Sequence, residues 1–413
     1  MSWKLFKLGL TSPENEPRFF PEEKPLASHY DVVIIGGGGH GLACAYYLAK
    51  EHGITRVAVL EQGYLGGGNT GRNTTIVRSN YLTSEGVKFY DASVKLWENL
   101  SGDLDINLFY STRGHFTLAH SDDAMRTMRW RAEVNKHHGV DSEVVDRDAI
   151  ARAVPTMDLD CGGGPAVHGA LYHAPGSVVR HDAVAWGYAR AAAQRGVEIH
   201  QQTAVTDIHT AGGRVTGVAT SRGDISCDAV VSMVAGYTPR ITDMLDLPTP
   251  IEIYPLQACV TEPVKPFLDT IIVSGSLHVY VSQSSRGELV MGSAVDPAVL
   301  HSTRSTFEFV EGLADHIVDM FPFAGRLRLL RQWAGMADMT PDFAPIMGTT
   351  PVDGFYLDSG WGTWGFKATP ISGQTMAATV AAKRNHELIE PFRLGRFADF
   401  QLVGEKGAAS VGH

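Results

Sequence analysis

Cysteine is scarce in this chain of 413 residues: Cys44, Cys161, Cys227 and Cys259 are scattered, and no two form a C-x-x-C pair. Neither a disulfide framework nor a cysteine-ligated zinc site is therefore predicted, and a reducing cytoplasm is the expected location. No run approaches the ~18 uncharged apolar residues of a membrane-spanning helix. The chain has 35 Lys and Arg residues and 45 Asp and Glu residues. The resulting net charge of −10 argues against nucleic acid as the main partner.

The residue sets of several enzyme classes are also missing. No Ser/His/Asp triad, no metal-ligand constellation and no pair of carboxylates at catalytic spacing is evident. Residues 1–10 have no apolar core and no small-residue cleavage site, so no signal peptide is predicted. Residues 1–29, with prolines spaced among charges, predict an extended N-terminal arm.

A glycine-rich turn between two apolar runs is the most informative feature that the chain does contain. The run at residues 32–35 leads into Gly36-x-Gly38-x-x-Gly41, and a helical stretch and a second apolar run follow, ending at Glu61. Gly36 permits the tight turn, Gly38 lets the backbone approach a pyrophosphate, and Gly41 lets the helix pack on the sheet. Glu61 stands where a carboxylate can accept hydrogen bonds from both hydroxyls of a ribose. A lone G-x-G-x-x-G is often a chance turn, but the complete unit predicts binding of an ADP-containing dinucleotide.

The order of helical and strand-like stretches predicts an α/β fold. We expect a Rossmann-like dinucleotide-binding domain with an inserted domain built on a mixed or antiparallel sheet. Residues 30–109, 165–249 and 335–413 are assigned to the first domain, and residues 110–164 and 250–334 to a substrate and interface domain. A ligand is expected where the two domains meet, at the carboxyl ends of the parallel strands.

Three separated runs occur in the order of one known family. They are the glycine run at residues 36–41, Arg-Asn-Thr-Thr-Ile-Val-Arg-Ser-Asn-Tyr at residues 72–81, and Gly-Trp-Gly-Thr-x-Gly-Phe-Lys at residues 360–367. From about Tyr30 to its C-terminal end, the chain resembles the FAD-binding β subunit of heterotetrameric sarcosine oxidases, in the glycine/D-amino-acid oxidase superfamily. N-methylglutamate dehydrogenase complexes contain closely related subunits, and the sequence does not separate the two.

The resemblance implies a subunit of a hetero-oligomeric flavoenzyme with α-, γ- and δ-type partners. Non-covalent FAD would accept a hydride from the N-methyl carbon of a small secondary amino acid. Covalent FMN at the junction with the large α subunit would then receive the electrons. Tetrahydrofolate and NAD would bind only to a partner subunit. An alternative of another class is a non-catalytic subunit that holds FAD for assembly alone.

The resemblance also implies which residues hold FAD, and they come from both glycine turns and the segments between them. They are Gly36, Gly38, Gly39, His40, Gly41, Glu61, Gly68, Asn69, Thr74, Ile76, Val205, Gly362, Thr363, Gly365, Phe366 and Lys367.

His181 matches the histidine to which the family attaches FMN, and Arg180 lies beside it. A neutral imidazole nitrogen suits this role because it can add to the 8α carbon of the flavin. From the residues alone, His181 is better explained as a helix-entry histidine beside Asp182, a plausible N-cap, and only the resemblance favours attachment of FMN. His173 is the nearby rival for the attachment.

Arg78 and Lys367 are the two cations predicted to act in catalysis. A guanidinium can bind an amino-acid carboxylate through two hydrogen bonds, although a structural salt bridge or a contact to the FMN phosphate would also explain Arg78. The family places the lysine that matches Lys367 beside the flavin ring, where its charge aids oxygen reduction or substrate orientation. A helix that begins just after Lys367 would stabilise the electron-rich edge of the reduced flavin. An ordinary solvated lysine is the alternative.

His278 and Tyr280 alternate along a predicted strand, and the face that they share is predicted to line the substrate pocket. A packed strand without any role in the site is the alternative. Trp364 departs from the family, which more often has glycine there. A large indole beside the flavin would reshape the pocket.

Overall fold

The predicted β–α–β unit is present in a computed structural model of the protein, which describes Leu10 and residues 24–405. Most of the predicted N-terminal arm, residues 1–29, therefore lies outside the described residues. The α-helices are α1 (Gly39–His52), α2 (Ser84–Asp103), α3 (Asp122–His137), α4 (Arg147–Ala153), α5 (His181–Ala193), α6 (Thr238–Asp243), α7 (Phe307–Met320) and α8 (Thr369–Ala382). Short 3₁₀ turns include Asn69–Arg72, Ala235–Tyr237 and Phe366–Ala368.

The strands are listed here in chain order. They are β1 (His29–Ile35), β2 (Val57–Leu60), β3 (Ile76–Val77), β4 (Ser111–Thr112), β5 (His115–Ala119), β6 (Glu143–Asp146), β7 (Gly169–His173), β8 (Ser177–Val178), β9 (Glu198–His200), β10 (Val205–Ala211), β11 (Arg214–Thr220), β12 (Gly223–Ser232), β13 (Glu252–Thr261), β14 (Ile271–Ser274), β15 (Val279–Gln283), β16 (Leu289–Val295), β17 (Leu329–Met339), β18 (Ile346–Thr349) and β19 (Phe355–Ser359).

The first sheet has a parallel centre in the order β9-β2-β1-β12-β19. Its central strand is apolar at every position from Val32 to Ile35 because both faces of the sheet are covered. Val32 and Ile34 pack into one hydrophobic cluster, and Val33 and Ile35 pack into another on the opposite face. The antiparallel hairpin β10–β11 extends this sheet, and β18 pairs antiparallel with β19.

Helix α1 lies between α5 and α8 on one face of this sheet. The contact with α8 is close, because a Cβ added at Gly373 would come within 2.4 Å of the Cβ of Ala43. Small residues on both helices therefore bring the start of α8, from the late part of the chain, beside the first glycine turn.

A second sheet has the order β17-β13-β16-β15-β14-β5-β7-β6 and is antiparallel apart from the β14–β5 pair. Its long pair β13–β17 runs back toward the first sheet, and β17 packs against the 3₁₀ turns at residues 69–72 and 235–237. The α/β fold with a second, mixed sheet is the fold that the sequence predicts. The residue boundaries assigned to the two domains stay a prediction.

Helix α2 begins with a side-chain cap, because Thr83 accepts a hydrogen bond from the backbone N–H of Gly86. The strand predicted to contain His278 and Tyr280 begins only at Val279. His278 occupies the preceding turn with a φ of 50°, so it does not alternate with Tyr280 along the strand. Among the described residues, no helix is both long and apolar enough to span a membrane.

Candidate functional site

A cavity of about 370 Å³ opens at the carboxyl ends of β1, β2 and β12. Both glycine turns, from opposite ends of the chain, contribute to its wall. Of the residues predicted to hold FAD, those that line it are Gly36, Gly38, Gly39, His40, Glu61, Gly68, Asn69, Val205, Gly362, Thr363, Gly365 and Phe366. The others, Gly41, Thr74, Ile76 and Lys367, are not part of this lining.

The first turn requires glycine for steric reasons at two positions. Gly36 has a φ of +111°, and a Cβ there would lie 2.4 Å from the backbone oxygen of Met233. A Cβ at Gly41 would lie 2.0 Å from the backbone oxygen of Gly36. Gly38 is the N-cap of α1, where no side chain caps the helix and no acidic residue occupies the first turn. The positive end of the helix is therefore suited to an anionic group such as a phosphate.

Glu61 follows β2 and reaches the same cavity. Its Oε2 accepts a hydrogen bond from the backbone N–H of Gly37 at 2.8 Å, and its Oε1 accepts one from Gly63 at 2.7 Å. These two bonds fix the carboxylate beside the glycine turn. Each oxygen keeps acceptor capacity for a ligand hydroxyl, because an ionised carboxylate oxygen can accept two hydrogen bonds.

A buried polar network joins the first glycine turn, residues 36–41, to the late glycine turn, residues 360–367. The Nδ1 of His40 lies 3.2 Å from the Asp358 carboxylate, and its Nε2 lies 2.8 Å from the backbone oxygen of Gly365. Trp361 and Ser372 also donate to Asp358. Burial opposes a charged imidazole, but the neighbouring Asp358 outweighs that effect and raises the pKa of His40. The network thereby holds both turns around one cavity.

Lys367 lies behind the late turn rather than on the cavity wall. Its backbone oxygen accepts hydrogen bonds from the Ser93 hydroxyl at 2.6 Å and from the Trp97 indole at 2.9 Å. Burial, and then the charge of Arg78, lower the pKa of Lys367 well below its ordinary value. This lysine is therefore a buried group that loses its proton easily, not a solvated one.

Arg78 is buried on the short segment that follows β3. Its Nη1 donates to the side-chain oxygen of Asn80 at 2.9 Å and to the backbone oxygen of Asn80 at 3.2 Å. The guanidinium carbon lies 4.6 Å from the centre of the Tyr81 ring, a distance typical of a cation–π contact. The two basic side chains predicted to be catalytic are therefore both buried, and they interact electrostatically.

Tyr280 and His278 are placed differently from each other. Tyr280 projects from the face of β15 opposite to Val279 and Val281, and its hydroxyl bonds to the side chain of Thr74. It is thus connected to one of the predicted FAD residues, and burial raises its pKa. The catalytic roles of both residues stay predictions.

His181 and His173 differ in their freedom to react. His181 is the first residue of α5 and is half-buried, and burial lowers the pKa of its imidazole. His173 is fully buried, with Nδ1 bonded to the backbone oxygen of Asp141 at 2.9 Å and Nε2 accepting from the Ser79 backbone N–H at 3.2 Å. Both nitrogens of His173 are engaged, so of the two rivals His181 is the more suited to attachment.

Trp364 does not reshape the cavity as its position in the late turn had suggested. The indole is 4% exposed, lies outside the cavity lining, and meets the Tyr81 ring edge-on at 5.4 Å between centroids. Tyr81 in turn stacks on Tyr90 at 3.8 Å. The extra indole therefore supports the ring beneath Arg78.

Sequence reasoning missed further lining residues, among them Thr70 and Asp338. Thr70 accepts a hydrogen bond from the backbone N–H of Gly39 at 2.9 Å, and its place next to Asn69 in a glycine-rich loop could have indicated it. Asp338 lines the cavity from β17, and its Oδ2 accepts from the backbone N–H of Gly360 at 2.6 Å. An acidic residue within a mostly apolar strand was the available indication.

Comparison with known proteins agrees with this geometry. The family model described as FAD dependent oxidoreductase matches residues 31–379. The chain belongs to this family.

Two relatives and one solved structure are similar over nearly their whole length. Sarcosine oxidase subunit beta of Rhodobacter capsulatus is 45% identical over 393 residues, which cover 95% of this chain and 94% of the relative. The subunit of the same name from Rhizobium meliloti is 47% identical over 387 residues, covering 94% and 92%. The crystal structure of L-proline dehydrogenase from P. horikoshii has a TM-score of 0.86 at 25% identity, covering 91% of this chain and 100% of that chain.

The cavity of this FAD-dependent oxidoreductase fits its family's cofactor by the chemistry of its walls. The uncapped N-terminus of α1 suits the pyrophosphate, and the fixed carboxylate of Glu61 suits the ribose hydroxyls. Gly362, with a φ of +51°, brings bare backbone to the opposite wall, where a flat ring system can approach closely.

Proposed function

We propose that this chain is the FAD-holding subunit of a hetero-oligomeric amine oxidase and that it oxidises the N-methyl group of a sarcosine-type amino acid. The observation that carries the proposal is the electrostatic interaction of two buried basic side chains, Arg78 and Lys367, in a protein whose dinucleotide cavity has both glycine turns in its wall. The near full-length similarity to two sarcosine oxidase β subunits supports the substrate class.

Arg78 is the group that would bind the substrate carboxylate. Asn80 and the Tyr81 ring fix the guanidinium, so little side-chain entropy remains to be lost when an anion binds. A carboxylate would also stabilise the protonated form of Lys367, which burial and then the charge of Arg78 disfavour. Substrate binding is therefore coupled to proton uptake by this lysine.

The reaction needs the substrate amine as its free base. When bound, FAD supplies the hydride acceptor. As the C–H electron pair leaves the methyl carbon, the nitrogen lone pair forms the C=N bond. Water would hydrolyse the resulting iminium to formaldehyde and the demethylated amino acid, or the iminium would pass its one-carbon unit to tetrahydrofolate on a partner subunit. We therefore expect kcat/KM to rise with pH until the amine is deprotonated. A flat profile between about pH 6 and 10 would contradict this mechanism.

His181 is the proposed attachment point for FMN, with Arg180 beside it. Because burial keeps its imidazole neutral near pH 7, a ring nitrogen has a free lone pair for bond formation. Mass spectrometry of the purified complex tests this directly. A peptide containing His181 should be heavier by one FMN, whereas an unmodified peptide would leave an enzyme with FAD alone.

The proposed partners are α-, γ- and δ-type subunits, in a cytoplasmic complex. Electrons would leave FAD for FMN at the junction with the α-type subunit. Native mass spectrometry of the complex isolated at low salt would show the subunit composition, and a homogeneous population of this chain alone would contradict the assembly.

Anaerobic addition of substrate to the complex tests the activity itself. Oxidised flavins absorb at about 450 nm, and sarcosine should bleach this band. Faster bleaching by N-methylglutamate would assign the chain to the dehydrogenase type instead. No bleaching by either amine would favour a subunit that holds FAD for assembly only.

A further inference from the structure

A second buried guanidinium lies behind the proposed carboxylate site. Arg131 belongs to α3 and is 1% exposed. Its Nε donates to the backbone oxygen of Asn80 at 2.6 Å, and this is the same oxygen to which Arg78 donates at 3.2 Å. Two like-charged side chains from different parts of the fold therefore converge on a single carbonyl oxygen.

Positive charge is in excess around this oxygen. Burial, and then the charge of Arg78, lower the pKa of Arg131 to about 9, while Glu405 opposes the shift. The carboxylate of Glu405 is already bonded to the backbone N–H groups of Leu82 and Thr83. In the described part of the chain, the Nη2 of Arg131 is buried without a hydrogen-bond partner. An anionic ligand nearby would relieve this electrostatic strain.

Helix α3 also fixes the segment that presents Arg78. One turn after Arg131, the side-chain amide of Asn135 donates to the backbone oxygen of Tyr81 at 2.9 Å. Tyr81 is the residue whose ring lies 4.6 Å from the Arg78 guanidinium. The helix thus holds two consecutive carbonyl groups, those of Asn80 and Tyr81, just beyond the arginine.

We propose that Arg131 is a positioning residue for the substrate carboxylate. It holds the segment that presents Arg78, and it adds a second positive charge that makes the site selective for an anionic ligand. This inference rests on the proposed role of Arg78 in binding the carboxylate, but it does not depend on which amino acid is oxidised.

Binding of methoxyacetate to the FAD-loaded complex tests the proposal. This ion has the size and carboxylate of sarcosine but no amine, and its binding is followed through the flavin absorbance. The neutral methoxyacetamide reports the contribution of shape without charge. We expect Arg131→Gln to raise the Kd of methoxyacetate about tenfold and that of the amide by less than about twofold.

Two further variants separate charge from folding. Arg131→Lys keeps the charge and one donor for Asn80, so the Kd should stay within about threefold of the original value. Arg129→Gln removes the same charge from an exposed position on the same helix, and it should leave the Kd unchanged. A merely structural role would weaken binding of the acid and the amide alike and would overturn the proposal.

The outcomes also separate this inference from the proposed function. If the unaltered complex does not bind methoxyacetate, or if Arg78→Gln binds it normally, the carboxylate role of Arg78 fails. If Arg78→Gln loses binding while Arg131→Gln retains it, only the role of Arg131 fails. Should Arg131→Gln not fold, Asn135→Ala decides, because loss of its bond to Tyr81 should weaken binding of the acid selectively, and unchanged binding overturns the inference.

Discussion

Replacing Asp338 by asparagine should stabilise the protein, and more strongly as the pH rises. The carboxyl group is 1% exposed, and its burial is the largest cause that raises its pKa from 3.8 to about 7. The neighbouring Asp358 adds to the rise, while the backbone N–H groups of Gly360 and Trp361 oppose it. Asparagine has nearly the same shape and keeps an oxygen for the Gly360 N–H, but it is never ionised.

The magnitude follows from proton linkage. Between about pH 4 and 7 the unfolded chain has lost the Asp338 proton while the folded protein retains it, so stability falls as the pH rises. The raised pKa corresponds to a penalty of about 4 kcal/mol, fully developed above pH 7 and less than half as large at pH 5. The stabilisation by Asp338→Asn should therefore be more than twice as large above pH 7 as at pH 5.

Urea unfolding of the flavin-free protein at pH 5 and pH 8 measures the effect. Asp358→Asn serves as the matched control, because the same change there removes the carboxylate that pairs with His40 and should destabilise. If Asp338→Asn changes the free energy of unfolding equally at both pH values, or destabilises at pH 8, the reasoning about the buried acid is wrong.

Four other substitutions probe the first glycine turn, an open helix position, a buried ion pair and the lysine behind the site. Gly41→Ala would place a Cβ 2.0 Å from a backbone oxygen, so it should cost about 1–3 kcal/mol and lower the flavin content of the purified protein, read from its absorbance ratio. At Gly102, in contrast, an added Cβ would have no atom within 4 Å, so Gly102→Ala should raise the melting temperature. Arg396→Met would leave Asp342 as an unpaired buried charge and should cost about 3–5 kcal/mol in urea unfolding, whereas a loss below about 1 kcal/mol would contradict the buried pair. Lys367→Met should slow flavin reduction or reoxidation in stopped-flow measurements while FAD stays bound, and unchanged rates would remove its proposed role.

Local patterns predicted the strands and the helix around the first glycine turn because the causes of these elements are local. An apolar run buried on both faces forms β1, and Thr83 supplies a hydroxyl cap where α2 begins. The boundary at His278 was wrong because a turn with positive φ is set by how the flanking strands pair, not by the alternation of residue types. Trp364 was placed at the flavin from the motif, but its indole packs against Tyr81 in the core.

The dinucleotide unit could be recognised from local sequence, since its glycines are required by close backbone contacts and Glu61 accepts a hydrogen bond from the glycine turn. Which distant groups lie close together depends instead on the packing of the whole chain. The meeting of His40 with Asp358, and of Arg78 with Arg131, depends on how helices and sheets pack. Burial then lowers the pKa of Arg131, because the dielectric surroundings of a side chain arise from the whole fold and not from its neighbours in sequence.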